Sequence, residues 1–163
     1  MCTERPLSSL CDQAHCAAKG VVSAYRTCFP AEPWAIRAAL ADVRARFAGN
    51  LSAGAFGAAE LALAEVLNNV AEHGYADMPP GAVTVCLGLS ADSLHVRIED
   101  RGHPMPGGRL PSGLMPEVAH AVEDLAEGGW GWALIRELTA DLAYERRTGH
   151  NLLTFRIPLA AGG

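Results

Sequence analysis

Apolar positions in the first third of the chain recur at helical spacing. Trp34, Ile36, Ala39, Leu40, Val43 and Phe47 fall on one stripe, after Pro30 and Pro33 have closed a short strand over Val21–Phe29. The pattern predicts a first amphipathic helix from Trp34 to Phe47. A second, rich in Ala, Leu and Glu, is expected from about Ala55 to His73, with Gly74 closing it in the left-handed conformation that glycine tolerates. The period then changes to two. Val83, Val85, Leu87 and Leu89 alternate with Thr84, Cys86 and Gly88, and beyond a turn at Ala91-Asp92, Leu94, Val96 and Ile98 alternate with His95, Arg97 and Glu99, which reads as an antiparallel hairpin with one apolar face. A Gly/Pro-rich loop follows from Arg101 to Pro116. Helices are expected over Val118–Leu125 and Trp130–Leu138, then a last hairpin of Leu142–Arg146 and Leu152–Leu159 turned at Thr148–Asn151.

Helices interleaved with hairpins point to a two-layer α/β (α+β) sandwich, a mixed, largely antiparallel sheet with helices on one face. Its 163 residues, half of them hydrophobic, suit a single domain over 21–163, preceded by an arm at 1–20 with no sustained period. Thirteen Lys+Arg against 18 Asp+Glu give a net charge of −5, and Lys19 is the only lysine. No basic stripe is available to replace phosphate counterions, so direct nucleic-acid binding is not expected. No apolar run is long enough to cross a bilayer and no secretory signal is visible, which makes the cytoplasm the expected location and a membrane partner unexpected. Cys2, Cys11, Cys16, Cys28 and Cys86 are unevenly spaced and lack CxxC, so reduced thiols are expected rather than a disulfide framework or a zinc site.

Three short motifs offer candidate chemistry, although each taken alone also reads as ordinary structure: a solvated helix face, a strand-end turn and a Gly-rich helix start. On the second helix, Glu65, Asn69 and His73 are spaced by four, and a step of four advances about 400°, so their side chains stay within about 80° of one another. An amide oxygen is a neutral hard ligand for Mg²⁺, and a carboxylate one turn away can take a proton from an attacking hydroxyl. Where the second strand of the hairpin runs out, Asp100-Arg101-Gly102-His103-Pro104 offers an acceptor-only carboxylate for the exocyclic amine of adenine, with Gly102 leaving room for the base against backbone. Further on, Gly128, Gly129 and Gly131 open a helix, an arrangement that aims backbone N–H groups at phosphates. No strand leads directly into these glycines and no GK[ST] is present, so neither a dinucleotide fingerprint nor a P-loop fits.

In this order the motifs resemble the boxes of the GHKL superfamily of ATP-binding domains. Glu65-x-x-x-Asn69-x-x-x-His73 is similar to its N box, Asp100-x-Gly102-x-Pro104 to its G1 box and Gly129-x-Gly131 to its G2 box, with the likeness running over residues 21–159. Within the superfamily, chain length and the phrases Ala71-Glu72-His73-Gly74-Tyr75 and Glu127-Gly128-Gly129-Trp130-Gly131 resemble the anti-sigma-factor serine kinases of the RsbW and SpoIIAB type. Trp130 and Trp132 stand where those relatives usually have aliphatic residues. The resemblance implies a Bergerat-type fold and bound Mg·ATP, with Asn69 as metal ligand and Asp100 reading adenine. Glu65 would act as general base and His73 as support for the nucleotide site, with Thr154 near the adenine-side water network. It also implies a homodimer that sequesters a sigma factor and phosphorylates a serine or threonine of a STAS-type antagonist. The alternatives are an ATP-binding partner switch with little or no kinase activity, and a histidine-kinase-like ATPase domain.

Overall fold

The computed structural model describes residues 20–112 and 130–159. Strand β1 (Ser23–Pro30) leads into α1 (Pro33–Phe47), whose first turn contains Pro33, where no intrahelical N–H is needed. Helix α2 (Ala53–Asn69) starts two residues earlier than its apolar pattern indicates because the Ser52 hydroxyl caps it, accepting the Ala55 N–H at 3.3 Å. The hairpin β2 (Ala82–Leu89) and β3 (Ser93–Asp100) follows, then α3 (Trp130–Leu138) and the hairpin β4 (Ala140–Arg147) and β5 (His150–Pro158).

The five strands form one sheet in the order β1-β2-β3-β5-β4, antiparallel at every pairing, so the parallel component expected of a mixed sheet is absent among the described residues. Strand β5 enters between β3 and β4, which places the start of the last hairpin at the sheet edge. Pairings such as Tyr25↔Leu87, Leu87↔Val96 and Val96↔Phe155 line up one apolar row across four strands. That row and its neighbours pack against the buried faces of α1 and α2, Ile36, Val43 and Phe47 from the first and Leu63, Val66 and Leu67 from the second. The opposite face of the sheet carries Arg26, Arg97, Thr154 and Arg156. The two-layer architecture read from periodicity is therefore observed.

Three details differ from expectation. The end of the second helix is not α-helical: Val70–Gly74 form a π turn, and Gly74 is not among the residues with positive φ. A left-handed cap is unnecessary because the widened turn ends the helix and its terminal carbonyl, Gly74 O, accepts the His103 N–H at 2.7 Å. Cys28 is disulfide-bonded, against the expectation of reduced thiols; sequence spacing does not reveal which thiols a fold brings together. The last turn is tighter than expected, with Thr148 and Gly149 alone between the paired residues Arg147 and His150. Both have positive φ, 49° and 80°, as a two-residue hairpin turn matching strand twist requires. The arm before Gly20, the Val118–Leu125 helix, Gly128 and Gly129 lie outside the described residues.

Candidate nucleotide site

At the ends of β3 and β5, the apolar inward row gives way to polar side chains. Val96 and Ile98 are followed on the same face of β3 by Asp100, and its partner across the sheet is Asn151, which continues the inward row of Leu153 and Phe155. Both are buried at 6% exposure, so their polar atoms must find partners inside the protein or in a ligand. Oδ1 of Asp100 accepts the Gly102 N–H and Asn151 Nδ2, each at 2.8 Å. Oδ2 accepts no hydrogen bond from the described residues. Burial raises the pKa of this carboxyl, opposed by the bonds from Asn151 and Gly102 and by the charge of Arg146.

Gly102 is required, for a reason other than the one its motif proposes. A Cβ there would lie 2.4 Å from the Gly74 carbonyl oxygen and 2.8 Å from its carbon, so backbone meets backbone and no room for a base is at issue. This close approach stitches the β3 exit to the end of the π turn. Tyr75, buried beside the seam, strengthens it by accepting the Arg101 N–H on its hydroxyl at 3.0 Å.

In front of the seam opens a cleft of about 680 Å³, within the size range of small-molecule sites. Asp100 and Asn151 stand at one end, and Asn69, Val66 and Trp132 line it toward α3, while His73, Asp77, His103 and Met105 surround it on the loop side. The cleft thus brings together Asn69, His73 and Asp100. Glu65 is placed next to it: a Cβ on Gly131 would lie 2.8 Å from Glu65 Oε2 and 3.8 Å from Asn69 Nδ2, so the first turn of α3 rests directly over both side chains. A side chain at Gly131 would require the Glu65 carboxylate to move. Trp132 is packed against the core, whereas Trp130 is 48% exposed.

Thr154 belongs elsewhere. It pairs with Arg97 and Ala143 on the outer face and lines a separate hollow of about 200 Å³ with Cys86, His95 and Arg156. Three positions from Asn151, it has the opposite parity and points away from the cleft. Asn151 is the residue that sequence reasoning missed, with Arg146 across from it on β4 and Tyr144 two positions along the same face. The available signal was a lone polar side chain on the apolar parity of β5.

Asn69 Nδ2 is buried without a hydrogen-bond partner among the described residues. Such an orphan N–H is rare in a protein interior, and beside an open cleft it is a position that a bound acceptor would satisfy. Among the described residues no three His, Cys, Asp or Glu side chains converge to cage a metal. The Asn69 N–H itself suits an acceptor such as phosphate or water, while the oxygen of the same amide is a neutral hard ligand of the kind Mg²⁺ takes beside phosphate and water.

Residues 29–157 match the histidine kinase-like ATPase domain family. Over 90 residues the chain is 31% identical to the serine/threonine-protein kinase BtrW of Bordetella bronchiseptica, covering 55% of this chain and 61% of that protein. It is 30% identical over 91 residues to the serine-protein kinase RsbW of Bacillus velezensis, covering 55% and 57%. The match therefore spans about six tenths of these relatives' own length. In fold, the chain is similar to the crystal structure of the RsbU and RsbW domains of Rv1364c from Mycobacterium tuberculosis, with a TM-score of 0.59 at 19% identity over 84% of this chain and 32% of that one. No described helix is long and apolar enough to cross a membrane.

Proposed function

Because the chain belongs to the histidine kinase-like ATPase domain family, we propose that it binds Mg·ATP in the cleft between Asp100 and Asn69 and transfers the γ-phosphoryl group to a serine or threonine of a protein substrate. The observation that carries this reading is the Asp100 carboxylate. With Oδ1 saturated by Gly102 and Asn151, the buried group offers its second oxygen, an acceptor, to a ligand donor such as the amine of adenine. Asn69 would contribute its amide oxygen to Mg²⁺, which when bound neutralises charge on the phosphates. The adjacent Glu65 would accept the proton of the attacking hydroxyl as the new O–P bond forms, the bond to the β-phosphate oxygen breaks and ADP departs. Gly131, with Gly128 and Gly129 of the same motif, would present backbone N–H groups to the phosphates. His73, at the cleft wall, would help to enclose the nucleotide.

The kinase relatives support a finer reading. In it the chain acts as an anti-sigma factor in transcription regulation, holding a sigma factor and phosphorylating a STAS-type antagonist to reset the switch; that it does so as a homodimer rests on the family resemblance alone. Calorimetric titration with ATP, with and without Mg²⁺, tests the first step. Saturable binding that strengthens with Mg²⁺ and weakens about 30-fold or more in Asp100→Asn supports it, since the substitution keeps an acceptor for Gly102 and Asn151 but turns a donor toward the adenine amine. Absence of binding by folded protein overturns it. For the second step, Glu65→Gln should retain ATP affinity and lose single-turnover phosphotransfer; transfer at the wild-type rate removes Glu65 as base.

A further inference from the structure

The Asp100 carboxylate is held by a chain of side chains reaching the sheet edge. Asn151 Nδ2 donates to Asp100 Oδ1, to His103 O at 3.0 Å and to Gly102 O at 3.3 Å. Its Oδ1 accepts Arg146 Nη1 at 2.6 Å and the Tyr144 hydroxyl at 2.7 Å. The tyrosine oxygen in turn accepts the Met105 N–H at 3.1 Å, which leaves its own proton for Asn151. Arg146 Nη1 also donates to Gly102 O at 3.0 Å.

An amide side chain can turn over and exchange its oxygen and nitrogen, and an arginine decides the matter here. Guanidinium has donors and no acceptor, so the Asn151 atom that it meets must be oxygen, and the nitrogen is thereby pinned toward Asp100. Were the amide reversed, its oxygen would face Asp100 Oδ1 and two backbone carbonyls, four acceptors without a proton between them. The pinned orientation fills Asp100 Oδ1 with donors and leaves Oδ2 for the cleft. A ligand atom placed against Oδ2 must then bring a proton. An exocyclic amine does so, whereas the oxo group at the same position of hypoxanthine or guanine is an acceptor and is rejected.

We infer that Arg146 is a positioning residue that sets purine selectivity, fixing the Asn151 amide so that Asp100 accepts an amino purine and excludes an oxo purine. It acts at one remove, for Tyr144, Asn151 and Asp100 line the cleft and Arg146 does not. The inference rests on the nucleotide reading of the cleft.

The experiment compares dissociation constants for Mg·ATP and Mg·ITP, two nucleotides alike in sugar and phosphates and different at the purine amine. Wild-type protein is expected to favour ATP by about 30-fold or more. Arg146→Met should reduce that ratio about tenfold, chiefly by weakening ATP, and Arg146→Lys, which keeps a donor-only cation, should restore most of it. Tyr144→Phe removes the other donor to Asn151 Oδ1 without touching Arg146 and should lower the ratio in the same direction, so the inference stays testable if Arg146→Met does not fold. A ratio near one in wild type, an unchanged ratio in Arg146→Met, or equal weakening of both nucleotides would overturn the positioning role while leaving the nucleotide site standing. Wild-type protein that binds neither nucleotide overturns the nucleotide reading itself, and the selectivity role with it.

Discussion

The two ends of the cleft are built differently. At the end proposed for the base, Asp100, Asn151, Tyr144 and Arg146 form a closed network, seated on a backbone seam in which Gly102 and Gly74 touch. At the end proposed for the phosphates, Asn69 keeps a buried N–H without a partner among the described residues, and Glu65 lies under the first turn of α3. One end is finished before a ligand arrives. The other carries an unsatisfied group, whose cost of about 1–3 kcal/mol is relieved when a bound group completes it. On the proposed reading, recognition of the base would be part of folding, whereas organisation of the phosphates would belong to binding.

That contrast can be broken most forcefully at the seam. Gly102→Ala drives a Cβ into the Gly74 carbonyl, with backbone on both sides and no side chain to give way. We expect a loss of about 2–3 kcal/mol, a fall in Tm of at least about 5 °C and loss of ATP binding. A thermal melt that matches wild type would show that the base end is not rigid. The phosphate end should respond in the opposite sense. Asn69→Ala removes an orphan donor, so stability should hold or rise, by at most about 1–3 kcal/mol, while the gain in ATP affinity conferred by Mg²⁺ disappears. Calorimetry with and without Mg²⁺, paired with a denaturant melt, separates the two quantities. The smallest effect is expected on the outer face. Thr154→Val should leave ATP affinity within about twofold and stability within about 0.5 kcal/mol of wild type, and a substantial loss of affinity would return that residue to the site.

Much of this was legible along the chain because period follows from backbone geometry. The alternation of Val83–Leu89 and Leu94–Ile98 located β2 and β3, and their face, without any tertiary information. Asp100 was found through its motif, and it also continues the inward row of Val96 and Ile98. Thr154 was misplaced because a residue type outweighed parity; counting in twos from Phe155 leads to Leu153 and Asn151. Gly102 was singled out for a base, whereas what the structure places against it is Gly74, a contact between residues distant along the chain. The π turn at Val70–Gly74 could not be read, because a change from 3.6 residues per turn over five positions leaves no periodic trace. The disulfide at Cys28 depends on proximity in space, which sequence spacing does not encode.

The turn between β4 and β5 has a consequence for how the gene can change. Only Thr148 and Gly149 separate Arg147 from His150, and both occupy left-handed backbone. One codon inserted or deleted there and absorbed by β4 would turn that strand over, sending Tyr144 and Arg146 to the outer face while every hydrophobic residue of β5 stayed in place. Such a protein would keep its sheet and lose the side chains that hold Asn151 against Asp100. Functional descendants of this chain should vary in length elsewhere and hold this hairpin at two residues.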